Sequence, residues 1–173
     1  MPNTYVALDQ KTLNSNTTSI TFTGIPSGYT DLEIRANYGV STSVDVFYQI
    51  NGDSASNYTN GRIRGDGTNT ADTGSTSTPV NYGIFQYNNM TVPTTLTTTT
   101  IMHLNNYNKT NNWKSAIVRS GNAGGGTQLA ISTWKNTAAV TSITIYANSG
   151  LLLSGSTFSL YGIKNILDDT GPK

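Results

Sequence analysis

The chain has 173 residues, no cysteine, ten Lys or Arg against nine Asp or Glu, and a formal net charge of +1. That length suits one domain, and the missing thiols exclude disulfides, thiolate nucleophiles and thiolate metal sites. The charged fraction of 11% falls far below the ~25% of an average soluble protein. Basic residues are scattered, and the densest group, Arg62 and Arg64, is offset by Asp66, so binding of nucleic acid or an anionic membrane is not expected. No apolar run approaches the ~18 residues of a membrane span. Met1-Pro2-Asn3-Thr4-Tyr5 lacks the basic and apolar regions of a secretory signal, and the expectation is a chain made and kept in the cytoplasm of its producing cell.

Taken in chain order, the elements read as strands. Thr4–Leu8 is a short extended segment leading into the sheet, and residues 1–8 are a candidate N-terminal arm. Ser19-Ile20-Thr21-Phe22-Thr23 and Asp31-Leu32-Glu33-Ile34-Arg35-Ala36 alternate polar and apolar with a period of two, the mark of a half-buried strand. Strands are expected next at Val44–Ile50, Gly61–Arg64, Val80–Tyr87, Thr99–Leu104, Trp113–Arg119 and Gln128–Trp134. Thr141-Ser142-Ile143-Thr144-Ile145-Tyr146 alternates again, and Thr157–Ile163 closes the series. Turn chemistry separates them at Gly24–Gly28, Asn51-Gly52-Asp53, Gly121–Gly126 and Asn148-Ser149-Gly150. Leu151-Leu152-Leu153 reads as a buried turn or a bulged strand edge.

About ten strands with polar turns and no substantial helix define an all-β fold, an antiparallel sandwich of jelly-roll type. Its inner faces should draw on Ile20, Phe22, Leu32, Ile34, Val46, Tyr48, Ile131, Ile143, Ile145, Phe158 and Leu160. Residues 1–173 are read as one domain, with a long loop at 65–79 and a C-terminal tail at 165–173. Thr94–Thr100 is Thr-rich, and its end is expected to enter a strand.

The search for chemistry returns little. The one histidine, His103, lies in Ile101-Met102-His103-Leu104, where alternation sets Ile101 and His103 opposite Met102 and Leu104. With few acids available to orient it, it reads as a strand histidine with local hydrogen bonds. Among the acids only Asp168-Asp169 are adjacent, and Asp45, Asp53, Asp66 and Asp72 read as turn and surface residues rather than a catalytic pair. Asn51-Gly52-Asp53-Ser54 is a turn rather than a calcium loop, lacking the acidic series and terminal Glu of an EF-hand. Gly121–Gly126 is followed by Thr127 and a strand, unlike a phosphate-binding loop. Arg64-Gly65-Asp66 is too short to carry weight. The ten Tyr with Trp113 and Trp134 could stack on sugars or bury in a subunit interface. No catalytic residue, cofactor or metal ligand is assigned, and an enzyme is not expected.

Three segments carry a resemblance. Ile25-Pro26-Ser27-Gly28-Tyr29-Thr30-Asp31-Leu32-Glu33-Ile34-Arg35, Ile50-Asn51-Gly52-Asp53-Ser54-Ala55-Ser56-Asn57-Tyr58, and Trp134–Ile145 leading to Gly155-Ser156-Thr157-Phe158-Ser159-Leu160-Tyr161-Gly162-Ile163-Lys164 occur in that order. Together they resemble small structural proteins of tailed bacteriophages, especially those infecting cyanobacteria and other aquatic bacteria. The resemblance spans about Tyr5 to Lys164 and implies a jelly-roll virion component without catalytic residues. The function it implies is a capsid decoration (cement) protein, expected as a trimer, that binds the major capsid protein or other virion proteins after assembly in the host cytoplasm. The alternative is a tail-fibre or receptor-binding module that recognises host surface glycan.

Overall fold

The computed structural model describes residues 4–65, 72–75, 78–87, 98–122 and 126–164. Twelve strands follow one another: β1 (Tyr5–Thr12), β2 (Ser19–Phe22), β3 (Asp31–Tyr38), β4 (Val46–Ile50), β5 (Tyr58–Gly65), β6 (Asp72–Ser75), β7 (Gly83–Gln86), β8 (Thr98–Leu104), β9 (Lys114–Asn122), β10 (Gly126–Trp134), β11 (Ile143–Ala147) and β12 (Thr157–Ile163). They form an eight-stranded sheet in the order β1-β12-β3-β8-β9-β10-β5-β6 and a four-stranded sheet in the order β2-β11-β4-β7. Every pairing between these strands is antiparallel. No helix occurs among the described residues. The all-β sandwich expected from the alternation is therefore the fold, with jelly-roll-like character. Residues 1–3 and the expected tail, 165–173, lie outside the described residues, while Tyr5–Leu8 of the expected arm belong to β1 and pair with β12.

Alternation dictates the core. Leu32, Ile34, Ala36 and Tyr38 of β3, with Phe158 and Leu160 of β12, face Ile20 and Phe22 of β2, Val46, Tyr48 and Ile50 of β4, and Ile143 and Ile145 of β11. Tyr38 anchors this layer, its ring stacked on Phe158 at 5.6 Å and tilted against Phe85 at 5.9 Å. Within the small sheet Gly83 stands opposite Tyr48 in the β4–β7 ladder, so close that a Cβ there would sit 2.2 Å from the ring, which only glycine permits. Leu152 is fully buried and bridges Thr17 and Val40, as its apolar neighbourhood suggested.

Two expectations need correction. The loop expected at 65–79 contains β6, which pairs with β5 from Gly61↔Ser75 to Arg64↔Asp72. Its sequence Asp72-Thr73-Gly74-Ser75 carries no apolar period, and ladder pairing alone makes it a strand. Ile131, expected in the core, instead stands on the solvent side of β10 at 48% exposure. The inward set on β10 is Gln128, Ala130, Ser132 and Trp134, all buried.

Hydrogen bonding explains that choice. β7 is the edge strand of the small sheet, and its backbone lies over β10 and β5. The Ile84 amide donates to Ser132 Oγ at 3.0 Å, the Tyr87 amide donates to Gln128 Oε1 at 3.1 Å, and Asn60 Nδ2 donates to the Tyr82 carbonyl at 3.1 Å. Trp134 Nε1 donates to Asp53 Oδ2 at 2.7 Å. A buried backbone amide without an acceptor costs about 1–3 kcal/mol, comparable to the ~1.5–3 kcal/mol gained by burying one Ile side chain. Several such bonds together outweigh turning Leu129 and Ile131 inward.

Lys114, fully buried at the start of β9, is held in the same economy. Its Nζ donates to the carbonyls of Lys109 (2.6 Å), Asn112 (2.8 Å) and Thr137 (3.1 Å), three acceptors for three ammonium protons. Burial lowers its pKa, yet three carbonyls select the charged form over an amine with two donors.

Removing the Ser132 hydroxyl should leave the Ile84 amide unpaired. We expect Ser132→Ala to lower unfolding free energy by about 1–3 kcal/mol, measured from urea midpoints at unchanged m-value.

Candidate functional site

The four-stranded sheet covers one face of the eight-stranded sheet, and the other face is open. Register fixes what that open face displays. One row across the strands runs Ala7, Tyr161, Glu33, His103, Ile117, Ile131, Gly61 and Ser75. The next runs Gln10, Ser159, Arg35, Ile101, Arg119, Leu129, Ile63 and Thr73. The face thus has an ionic and aromatic half on β1, β12, β3 and β8, and an aliphatic half on β9, β10 and β5.

The exposed large hydrophobics among the described residues are Tyr5, Ile63, Trp113, Ile117, Leu129 and Ile131, each 39–56% exposed. Five belong to this face, and Trp113 immediately precedes β9 beside it. Nothing similar appears on the outer side of the small sheet, where Phe47 is buried beneath Tyr82, stacked at 3.8 Å, with Tyr146 edge-on at 6.0 Å.

In the ionic half the chain's only histidine and only glutamate meet. His103 Nε2 lies 3.6 Å from Asp31 Oδ2, and Nδ1 lies 3.8 Å from Glu33 Oε2. These separations are ion-pair contacts for a protonated ring and too long for hydrogen bonds. Asp31 is steadied by the Asn106 amide, which donates to Oδ1 at 2.7 Å. Glu33 is only 5% exposed although it sits on the open face. Arg35 Nε donates to its Oε1 at 2.6 Å and Tyr5 Oη to its Oε2 at 3.5 Å. The Arg35 guanidinium lies over the rings of Tyr5 (5.3 Å) and Tyr161 (5.2 Å), so two cation–π contacts and one carboxylate hold it. Beside Tyr161, where a bulge between Ala7 and Asp9 shifts the β1–β12 register, a hollow of about 220 Å³ opens. Ala7, Leu8, Asp9, Gln10, Ser159 and Tyr161 line it; His103 does not.

The reading of His103 as a strand histidine with local hydrogen bonds is therefore corrected in its partners, which are two carboxylates at ion-pair distance. β3 pairs with β8, which brings Asp31 and Glu33 to the histidine from a strand about seventy residues away in sequence. A catalytic cleft around it does not follow, because the cluster lies flat on a sheet.

The remaining sequence candidates resolve into structure. Asn51 and Gly52 both have positive φ, 54° and 67°, and the Asp53 amide donates to the Ile50 carbonyl, a tight turn of the primed kind. Asn51 Oδ1 accepts from the amides of Thr141 (2.8 Å) and Ser142 (3.1 Å), while Nδ2 donates to the Ala139 carbonyl (2.8 Å). Asp53 accepts from the Ala55 amide, Asn57 Nδ2 and Trp134 Nε1. The turn's oxygens thus clamp β4 to the approach to β11 and to the end of β10. Gly121 and Gly126 belong to the β9–β10 hairpin, and residues 123–125 lie outside the described residues. Asp66, Asp168 and Asp169 also lie outside them, as does the side chain of Asp72. Asp45 stays a loop residue before β4, its carbonyl accepting from the Asn148 amide.

No protein-family model and no curated protein matches the chain. Solved structures with a related course include the alginate lyase Aly36B, at 12% identity and a TM-score of 0.35, covering 91% of this chain and 79% of that one. A mutant of it in complex with alginate tetrasaccharide follows at 8% identity and 0.29, covering 90% and 80%. The marine PL-14 alginate lyase from Aplysia kurodai gives 10% and 0.27, covering 91% and 88%. At these scores the likeness transfers neither activity nor substrate to this chain. The virion reading is withdrawn: neither a family model nor a curated protein supports it, and the solved structures found are alginate lyases. Neither a capsid decoration protein nor a tail-fibre module recognising host glycan is retained.

The Asp53 carboxyl yields an acid-stability prediction. Burial alone would raise its pKa, but hydrogen bonds from Asn57, Trp134 and the Ala55 amide outweigh this and hold it below the ordinary 3.8. A depressed folded-state pKa gives stability that is fully present above 3.8 and lost as pH falls through the lower folded value. Asp53→Asn should flatten the loss of urea stability below pH ~4 relative to the natural chain; equal acid slopes for the two would refute it.

Proposed function

We propose that the chain is a non-catalytic interaction module that docks through the open face of its eight-stranded sheet, and that the partner is a second copy of the chain. One observation carries the reading: the exposed large hydrophobics among the described residues gather on or beside this single face. Monomeric surfaces scatter such residues, and a contiguous patch rimmed by polar groups marks an interaction site. The patch is chiefly Ile and Leu, with Trp113 and Arg119 at its margin. That chemistry suits the core and rim of a protein interface.

A second copy fits the face in shape and in charge. Two identical twisted sheets pack face to face about 10 Å apart with their strands nearly aligned. A two-fold axis along the row Tyr161–Glu33–His103–Ile117–Ile131 makes the contact isologous. It sets Asp31 of one copy opposite Arg35 of the other and brings the two Ile131 side chains together. Glu33, which falls on the axis, is shielded by Arg35 and Tyr5. A two-fold pair thus takes the place of the trimer expected from the resemblance.

Sedimentation velocity tests this. The natural chain should self-associate as its concentration rises to about 100 µM, the range of a micromolar to sub-millimolar interface. Ile131→Asp should remain monomeric there while keeping its urea midpoint within about 0.5 kcal/mol of the natural chain, as an exposed site allows. A natural chain that stays monomeric throughout would overturn the reading.

A further inference from the structure

Among the exposed large hydrophobics of the described residues, Trp113 protrudes furthest, at 56% exposure, and its backbone is held from both sides. Asn112 Nδ2 donates to the Trp113 carbonyl at 2.8 Å. The next residue is Lys114, the fully buried lysine whose ammonium ties down the carbonyls of Lys109, Asn112 and Thr137. The chain's other tryptophan, Trp134, is 1% exposed with its Nε1 on Asp53. A large aromatic mounted on a fixed stretch of chain supplies contact area at little entropic cost, which is the property of a binding anchor.

The two-fold pairing proposed above, on which this inference rests, sets what Trp113 meets. Rotation about the row through His103, Ile117 and Ile131 exchanges positions on β9 that lie equally far before and after Ile117. Trp113, four residues before it, is carried over Gly121 of the second copy, four residues after it. Alternation from Ile117 places both on the open side. The row through Gly121 is low, with Thr99 of β8, Thr127 of β10 and Gly65 of β5 beside it. A Cβ on Gly65 would meet nothing within 4 Å, and one on Gly121 only the Gly126 carbonyl at 3.5 Å and a Thr127 methyl at 3.6 Å. With the sheets about 10 Å apart, the space over such a row on one copy takes an indole from the other. Four residues span about 13 Å of strand, so the ~30° between strand directions in aligned sheets moves the contact sideways by about one strand. The residue found there, Thr99 or Thr127, is small as well.

We infer that Trp113 is the anchor that sets the register of the pair: the indole of each copy seats on the Gly121 row of the other, one contact on either side of the axis, with the aliphatic residues between them. The face carries its largest exposed side chain at one end and its smallest at the other, at equal distances from the row that serves as the axis. The low row alone names no partner; a rigidly mounted tryptophan at the matching distance names a second copy.

The test uses the full chain and its two tryptophans. In dilute protein, acrylamide should quench Trp113 strongly and Trp134 weakly, and the Trp113→Phe chain gives the Trp134 signal alone. Raising the concentration from about 1 to about 100 µM should cut the quenching of Trp113 severalfold and leave that of Trp134 unchanged. In sedimentation velocity, Trp113→Ala should weaken self-association about thirtyfold or more, the weight of a hot-spot tryptophan, while keeping the natural urea midpoint. Gly121→Val, whose Cβ the strand accommodates, should weaken it about tenfold. A chain that pairs while Trp113 stays as quenchable as in dilute protein overturns this inference and leaves docking through the open face standing. So does a Trp113→Ala chain that pairs as the natural one does. A natural chain that stays monomeric overturns both.

Discussion

The strand on which this architecture turns is β10, and what orients it is its hydrogen bonding to β7. An edge strand lying across another sheet has backbone amides that no ladder satisfies. Ser132 and Gln128 supply acceptors for two of them, and Trp134 reaches Asp53 from the same side of the strand. Because side chains on a strand alternate, the inward turn of this set throws Leu129 and Ile131 outward. The same bonds that close the core therefore create the apolar half of the open face.

The other half follows from topology. β3 is flanked by β12 and β8, so Asp31, Glu33 and Arg35 have Tyr161 on one side and His103 on the other. With Arg35 held between two tyrosine rings and a carboxylate, and Glu33 covered by it, the ionic cluster is arranged before any partner arrives. Preorganised charges next to exposed aliphatics give a surface with a centre and a rim, which is why docking accounts for the face better than catalysis does. His103 stands between two carboxylates and does not line the hollow beside Tyr161.

Sequence alternation carried the reading of β2, β3, β11 and β12, since each has one plainly apolar set of residues and a core that takes it. It failed on β10, where Leu129 and Ile131 outweigh Ala130 and Ser132 in hydrophobicity and the deciding bonds come from β7, more than forty residues away. It failed on β6, which has no pattern of its own and exists by pairing with β5. The acids beside His103 were visible as residues but not as neighbours, because strand order is not written in local periodicity. Asn51-Gly52 was legible as a turn; the grip of the Asn51 side chain on Thr141 and Ser142 was not. The virion assignment came from resemblance rather than from residue chemistry, and it is the part that is not retained.

The orientation of β10 and the use of the open face can be read in one experiment. With the Ile and Leu methyls labelled and a soluble paramagnetic agent added, the account predicts strong broadening of Ile117, Leu129 and Ile131 in dilute protein, set against sharp Ile143 and Ile145. It also predicts that the first three become protected as the concentration rises and copies pair. Protection of Leu129 and Ile131 at every dilution would contradict the account, because it would place them in the core.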